Sequence, residues 1–308
     1  MKSYRQIFKY DSKLGYKYVK NLSLTILGDS VEGSKDYKLV TDNFGFRNDI
    51  NLNCDMAVDN LFIGCSFTAG DGVSNSERFT DNLNTSSYNA GISGSGFVQQ
   101  CLIAEYCANF IQPKRLIISP YIGCIQRNFL KERSTQLMGY KKLWYKPYAE
   151  FSNNKVYFKN IPVPKPDLNF EDFSSQKSVN IENNFFEKLK SKFYRRREFI
   201  EGINKNYSSY EQFEICKYCI KLSMSYFKNS QIFIMPIPNW SFQKLTNRKL
   251  IFKVKNFYES IAKDLQINHF FLPEYLDKGK VDKMFYFEGH MNKFGHKVVS
   301  EILKKEIL

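Results

Sequence analysis

Asn60-Leu61-Phe62-Ile63-Gly64-Cys65-Ser66-Phe67-Thr68-Ala69-Gly70 runs from an unbroken apolar stretch into small residues. A short apolar run ended by glycine reads as a buried strand, here residues 60–65, and it leaves the Ser66 hydroxyl just past the strand at the end of a sheet. Similar runs recur at 87–91, 115–121, 231–237 and 269–272. Between them, residues 97–111, 210–227, 250–265 and 293–307 carry apolar side chains at helical spacing. Strands alternating with helices of this length predict an α/β protein, a three-layer sandwich around a five-stranded parallel sheet.

Two regions interrupt the alternation. Residues 1–58 are rich in Tyr, Lys, Asp and Asn and read as an N-terminal accessory segment; 59–308 read as the α/β domain, with an insertion at about 129–205 marked by Pro147, Pro162, Pro164 and Pro166. Accessory β structure is expected in both, and within the insertion residues 148–159 read as a hairpin turning at Asn153-Asn154.

Chain length and a 43% hydrophobic content are ample for a large core and argue against disorder. Forty-five basic residues against thirty-one acidic ones give a formal charge of +14, with a dense run at Lys188, Lys190, Lys192, Arg195, Arg196 and Arg197. That balance favours an anionic substrate or surface, while no nucleic-acid motif accompanies it. No run approaches the roughly 20 apolar residues of a membrane span, so the expectation is a cytoplasmic protein without a transmembrane segment. The seven cysteines form an odd set in apolar surroundings and read as reduced core thiols. Cys216-Lys217-Tyr218-Cys219 has no second pair, so neither a metal nor any other cofactor is expected.

A serine hydroxyl becomes a nucleophile when a base removes its proton and a third group fixes the base. Far along the chain, Phe287-Glu288-Gly289-His290-Met291-Asn292-Lys293-Phe294-Gly295-His296 offers both partners, and a helix predicted to follow places His290 on the loop before it. Of the three histidines, His269 falls in an apolar strand and His296 at a helix start, which suits packing and local hydrogen bonding. Cys65 is a competing nucleophile, since thiolates are the more reactive group, but alternation puts Cys65 and Ser66 on opposite faces.

These segments resemble the SGNH, or GDSL-like, hydrolases. Gly64-Cys65-Ser66-Phe67-Thr68 is similar to the family's first block, Asn89-Ala90-Gly91-Ile92-Ser93-Gly94-Ser95-Gly96 to its second, and Glu288-Gly289-His290 with Asn292 to its last. Tyr10-Asp11-Ser12-Lys13-Leu14-Gly15-Tyr16 and Asp42-Asn43-Phe44-Gly45-Phe46-Arg47 resemble a lead-in of larger bacterial members, and the stretch from Lys146-Pro147-Tyr148 to Asn160-Ile161-Pro162-Val163-Pro164 their mid-chain insertion. The resemblance implies Ser66 as nucleophile in preference to Cys65, His290 as base, Glu288 as the orienting acid, and backbone N–H groups of Ser66 and Gly94 as oxyanion donors.

The chain departs from the pattern at three places. Cys65 stands where an aspartate commonly precedes the serine; Phe287 occupies the usual acid position, leaving Glu288 two residues before the histidine; and Ser119-Pro120-Tyr121-Ile122-Gly123-Cys124 lacks the asparagine donor of the third block. Asn128, or its neighbour Arg127, is the expected replacement. Ile26-Leu27-Gly28-Asp29-Ser30 spells the Gly-Asp-Ser motif itself, but no glycine-bearing second strand follows at a suitable distance, so it reads as a turn with Ser30 a second candidate.

The implied activity is that of a serine esterase or O-acyltransferase acting on acyl groups, acetyl above all, on a small molecule or glycan that could be anionic. The alternative is an SGNH-fold glycan- or partner-binding protein of weak or no turnover, because the third donor is missing.

Overall fold

The computed structural model describes residues 7–28, 35–49, 55–137, 140–165, 171–172, 200–286 and 289–308. In chain order the elements used below are β1 (Phe8–Asp11), β2 (Gly15–Tyr18), β3 (Ser23–Ile26), β4 (Tyr37–Val40), β5 (Met56–Gly64), α1 (Ser66–Ala69), β6 (Ser87–Asn89), α2 (Phe97–Cys107), β7 (Ile111–Ser119), β8 (Glu132–Leu137), β9 (Tyr140–Tyr145), β10 (Tyr148–Ser152), β11 (Lys155–Lys159), β12 (Glu171–Asp172), α3 (Tyr210–Tyr226), β13 (Gln231–Ile234), α4 (Arg248–Leu265), β14 (Asn268–His269) and α5 (Lys293–Glu306).

A five-stranded sheet of order β14-β13-β7-β5-β6 forms the centre, every pairing in it parallel. Alternation along β5 sends Leu61 and Ile63 into one apolar cluster with residues of α2, α3 and α4, and Phe62 into another with Val299 and Leu303 of α5. Both faces of the sheet are thus covered, which is why its strands are apolar without interruption. Burial of each such side chain contributes about 1.5–3 kcal/mol. The three-layer α/β sandwich expected from the sequence is the observed fold.

The elements deviate from expectation at their ends. Strand β7 begins at Ile111 rather than 115, and Pro113 lies inside it, paired with Val58. The proline is tolerated because β13 joins β7 only from Arg115 onward, so at Pro113 the strand has a neighbour on one side alone. Strand β14 is two residues long, and the chain then turns into a 3-10 helix at Leu272–Glu274 with Pro273 in its first turn.

Outside the central sheet, β1-β2, β3-β4 and β10-β11 form antiparallel hairpins and β12-β9-β8 a small sheet. The Asn153 and Asn154 pair turns the β10-β11 hairpin with both residues at positive φ, 50° and 57°. Phe8, Tyr16, Tyr18 and Phe46 of the N-terminal region are buried in the same cluster as α2 and the central strands. No helix among the described residues is long and apolar enough to cross a membrane. The basic run at 188–197 and Ser30 lie outside the described residues.

Candidate active site

Strand β5 ends at Gly64, Cys65 caps the next element in extended conformation, and Ser66 is the first residue of the single-turn helix α1. The strand-to-helix change at this point needs the small residues. A side chain at position 64 would collide with Thr68 and with the carbonyl of Ser119. Gly70 closes the turn in left-handed conformation, its N–H donating to Ser66 O (2.9 Å). Thr68 Oγ1 lies 2.8 Å from Ser119 Oγ, pinning the turn to the end of β7.

His290 arrives from the loop before α5. An antiparallel bridge joins Phe285 to Met291, and Tyr286 N donates to His290 O (3.0 Å), so the histidine sits on a tight, backbone-closed loop. Asn292 caps α5 by accepting from Gly295 N (3.0 Å). The result is a distance of 2.8 Å between His290 Nε2 and Ser66 Oγ. Phe67 flanks the pair, its ring centre 4.9 Å from that of His290 and 4.7 Å from that of Tyr121. Ser66 is largely buried, at 6% exposure, and Cys65 is wholly buried in the cluster with Phe62, Phe79 and Ile117. The imidazole meets the hydroxyl. Glu288 lies outside the described residues.

The second block lies against α1. Asn89 Nδ2 donates to Thr68 O (2.6 Å), Ser95 Oγ to Gly64 O (2.9 Å), and a side chain at Gly91 would strike the backbone of Thr68 and Ala69. Gly94 has φ +76°, a conformation in which glycine carries no steric cost. A side chain there would also run into the guanidinium of Arg133 from β8.

Asn128 does not fill the role expected of it. It is fully buried in the 3-10 segment Ile122–Phe129, where its Oδ1 accepts from Phe97 N (3.0 Å) and its Nδ2 donates to Gln212 Oε1 (3.1 Å) and Cys216 Sγ (3.4 Å). Both ends of the amide are spent on the start of α2 and on α3, so Asn128 braces the helix that follows the second block. Its neighbour Arg127 goes the other way, donating to Ser95 O (3.4 Å) within that block.

Sequence reasoning missed the polar support beneath the block. Ser93 Oγ donates to the Asp71 carboxylate (2.6 and 2.7 Å) and lies 2.7 Å from Tyr18 OH, while Tyr16 OH donates to Ser93 O (3.0 Å) and accepts from Arg133 Nη1 (3.0 Å). Burial, and after it the Asp71 charge, raises the Tyr18 phenol well above its ordinary value, so it stays protonated. The alternation of tyrosines in Gly15-Tyr16-Lys17-Tyr18 was the available signal, though nothing local announces that β2 meets Ser93.

Two buried arginines fasten the chain that follows Ser66. Asp42 Oδ1 accepts from the backbone of Phe44, Gly45 and Phe46, a loop that delivers Arg47, and Arg47 donates to Gly70 O (2.7 Å), Val73 O (2.8 Å) and Asn75 Oδ1. Arg78 bonds Asp81 and the carbonyl of Arg47. His296 is buried beside them and accepts from Phe79 N (3.2 Å). Desolvation first, then the charges of Arg78 and Arg47, hold it down to about 3, so it is a neutral acceptor. Burial likewise lowers His269. Among the described residues no group of three or more His, Cys, Asp or Glu side chains is placed to hold a metal ion.

No protein-family model matches the chain, and neither does any curated protein. Solved structures do. A member of the lipolytic protein G-D-S-L family from Veillonella parvula matches at 10% identity over 82% of this chain and 98% of its own, with a TM-score of 0.42. An alpha/beta hydrolase enzyme from the metagenome of Lake Arreo, Spain, matches at 10% identity over 82% and 95%, TM-score 0.41. A mutant acetyl-xylooligosaccharide esterase from Geobacillus Stearmophilus matches at 13% identity over 84% and 96%, TM-score 0.41.

Proposed function

We propose that the protein is a serine esterase or O-acyltransferase of the SGNH type, acting on acyl esters, with carbohydrate-linked acetyl groups favoured. The single observation that carries this reading is the 2.8 Å approach of His290 Nε2 to Ser66 Oγ at the head of a helical turn. In the first step Nε2 takes the hydroxyl proton as Oγ attacks the ester carbonyl, giving a tetrahedral oxyanion. The N–H groups of Ser66 and Gly94 are assigned to that oxyanion, and Glu288 to orienting the imidazole. Collapse expels the alcohol, which leaves with the proton from His290. Water then attacks the acyl-enzyme in hydrolysis, or a sugar hydroxyl in transfer, and Ser66 is restored.

A second reading has its own observation. With Asn128 turned inward, the site has two assigned oxyanion donors, and loss of one donor costs on the order of 100-fold to 1000-fold in rate. A binding protein of feeble turnover would fit that as well. Hydrolysis of p-nitrophenyl acetate by the wild type, abolished in S66A and H290A, is the outcome expected for the enzyme. Wild-type rates equal to those of S66A would sink it and leave the binding protein.

A further inference from the structure

The peptide joining Ser93 to Gly94 is gripped at its carbonyl end by the accessory structure. Ser93 O accepts from Tyr16 OH (3.0 Å), and Tyr16 OH in turn accepts from Arg133 Nη1 (3.0 Å). Tyr18, on the same face of β2, holds the Ser93 side chain: Ser93 Oγ gives its proton to the Asp71 carboxylate and therefore accepts that of Tyr18 OH. The one cis peptide among the described residues is Ile161-Pro162, so the Ser93–Gly94 peptide is trans and its N–H points opposite to its C=O, away from Tyr16. Gly94 is buried, yet no acceptor among the described residues is bonded to its N–H. Buried amide N–H groups are nearly always paired, which marks this one as a donor held ready. The loop lies on the turn that carries Ser66. Ile92 N (3.1 Å) and Ser95 Oγ (2.9 Å) both donate to Gly64 O, and Asp71, the anchor of Ser93, donates its own N–H to Ser66 O (3.0 Å).

We propose that Tyr16 and Arg133 are positioning residues for the reaction, forming a relay that aims Gly94 N–H and strengthens it as a donor to the oxyanion; this rests on the serine-hydrolase reading and deepens it. Every link donates in one direction, from guanidinium to phenol oxygen, from phenol to Ser93 O, and from Gly94 N–H to the charge that develops on the substrate. A hydrogen bond with a charged donor is about twice as strong as a neutral one, and bonds in series polarise one another. The guanidinium also lies against Gly94 on the side a side chain would occupy, which brings a full positive charge to the same loop. With Asn128 turned inward, the relay acts on one of the two donors that remain assigned.

Y16F tests this by removing the hydroxyl and keeping the ring. On p-nitrophenyl acetate it is expected to lower kcat about tenfold, part of the 100-fold or more that a whole donor commands, with KM changed less than about twofold. R133M should lower kcat about threefold, and the double variant should be no slower than Y16F, because Arg133 acts through Tyr16. Phenylboronic acid, which adds to Ser66 Oγ as a tetrahedral anion, should lose affinity in the same ratio as kcat/KM. A purely structural role would move the melting temperature and leave the kinetics of the folded protein alone. Unchanged kcat in Y16F, a loss confined to KM, or a double variant slowed by the product of the two single effects overturns the relay. Should Y16F not fold, R133M decides: a fall of about threefold in both kcat and boronate affinity supports the relay, and a wild-type value of either overturns it. Wild-type hydrolysis no faster than that of S66A fails the hydrolase reading and the relay with it, whereas hydrolysis that S66A abolishes and Y16F leaves intact fails the relay alone.

Discussion

Asn128 is the residue whose type and position fitted one task while its surroundings gave it another. The chain position after the third central strand suits a donor to the oxyanion, yet the side chain is buried and bridges Phe97 N to Gln212 and Cys216. The two roles predict opposite results for N128A. A brace costs stability, about 1–3 kcal/mol for the buried N–H of Phe97 left without its acceptor, with a modest fall in kcat. A donor would cost 100-fold or more in kcat with little change in Tm. We expect the first pattern, read from a denaturant melt and aryl acetate kinetics on the same preparation. The sequence could not separate the two because direction is decided by the 3-10 twist of Ile122–Phe129, which aims adjacent residues differently. The places of Ser66 and His290 in the fold were legible for the opposite reason: each adjoins a boundary that small or capping residues mark locally, Gly64 before the serine and Asn292 after the histidine.

At the scale of elements, period and punctuation carried most of the information. The β10-β11 hairpin followed from Asn153-Asn154, whose tolerance of positive φ matches a two-residue turn. Both asparagines still bear some strain there, so N154G should leave the fold intact and raise stability by about 0.5–1 kcal/mol; a fall in Tm would show that the asparagine side chain does more than turn the chain. Strand β7 was harder to delimit because Pro113 argues against a strand anywhere but an edge, and only the register of β13 reveals that the position is one. The meeting of β2 with Ser93 was out of reach altogether, since long-range pairing of Tyr16 and Tyr18 leaves no periodic trace in either segment.

For the molecule as a whole, His296 joins α5 to the chain after Ser66, bonded to Phe79 and buried near Arg78 and Arg47. Its ionisation should therefore report on global stability. The folded value lies near 3 against an ordinary 6.5, so between those limits the unfolded chain binds a proton that the native one refuses. Stability from this group is complete above about pH 6.5 and is lost as the pH falls toward about 3, with a slope of up to about 1.4 kcal/mol per unit. H296N, which keeps a neutral acceptor for Phe79 N, should melt with a shallower pH dependence across that window. Identical slopes for H296N and wild type in urea titrations would contradict the assignment.

The serine and histidine that meet at 2.8 Å are 224 positions apart in the chain. During synthesis Ser66 is made early and His290 late, with all five central strands produced before the histidine is joined on. The contact between them can therefore form only after the whole central sheet has been made, and a chain cut short anywhere in that interval lacks it.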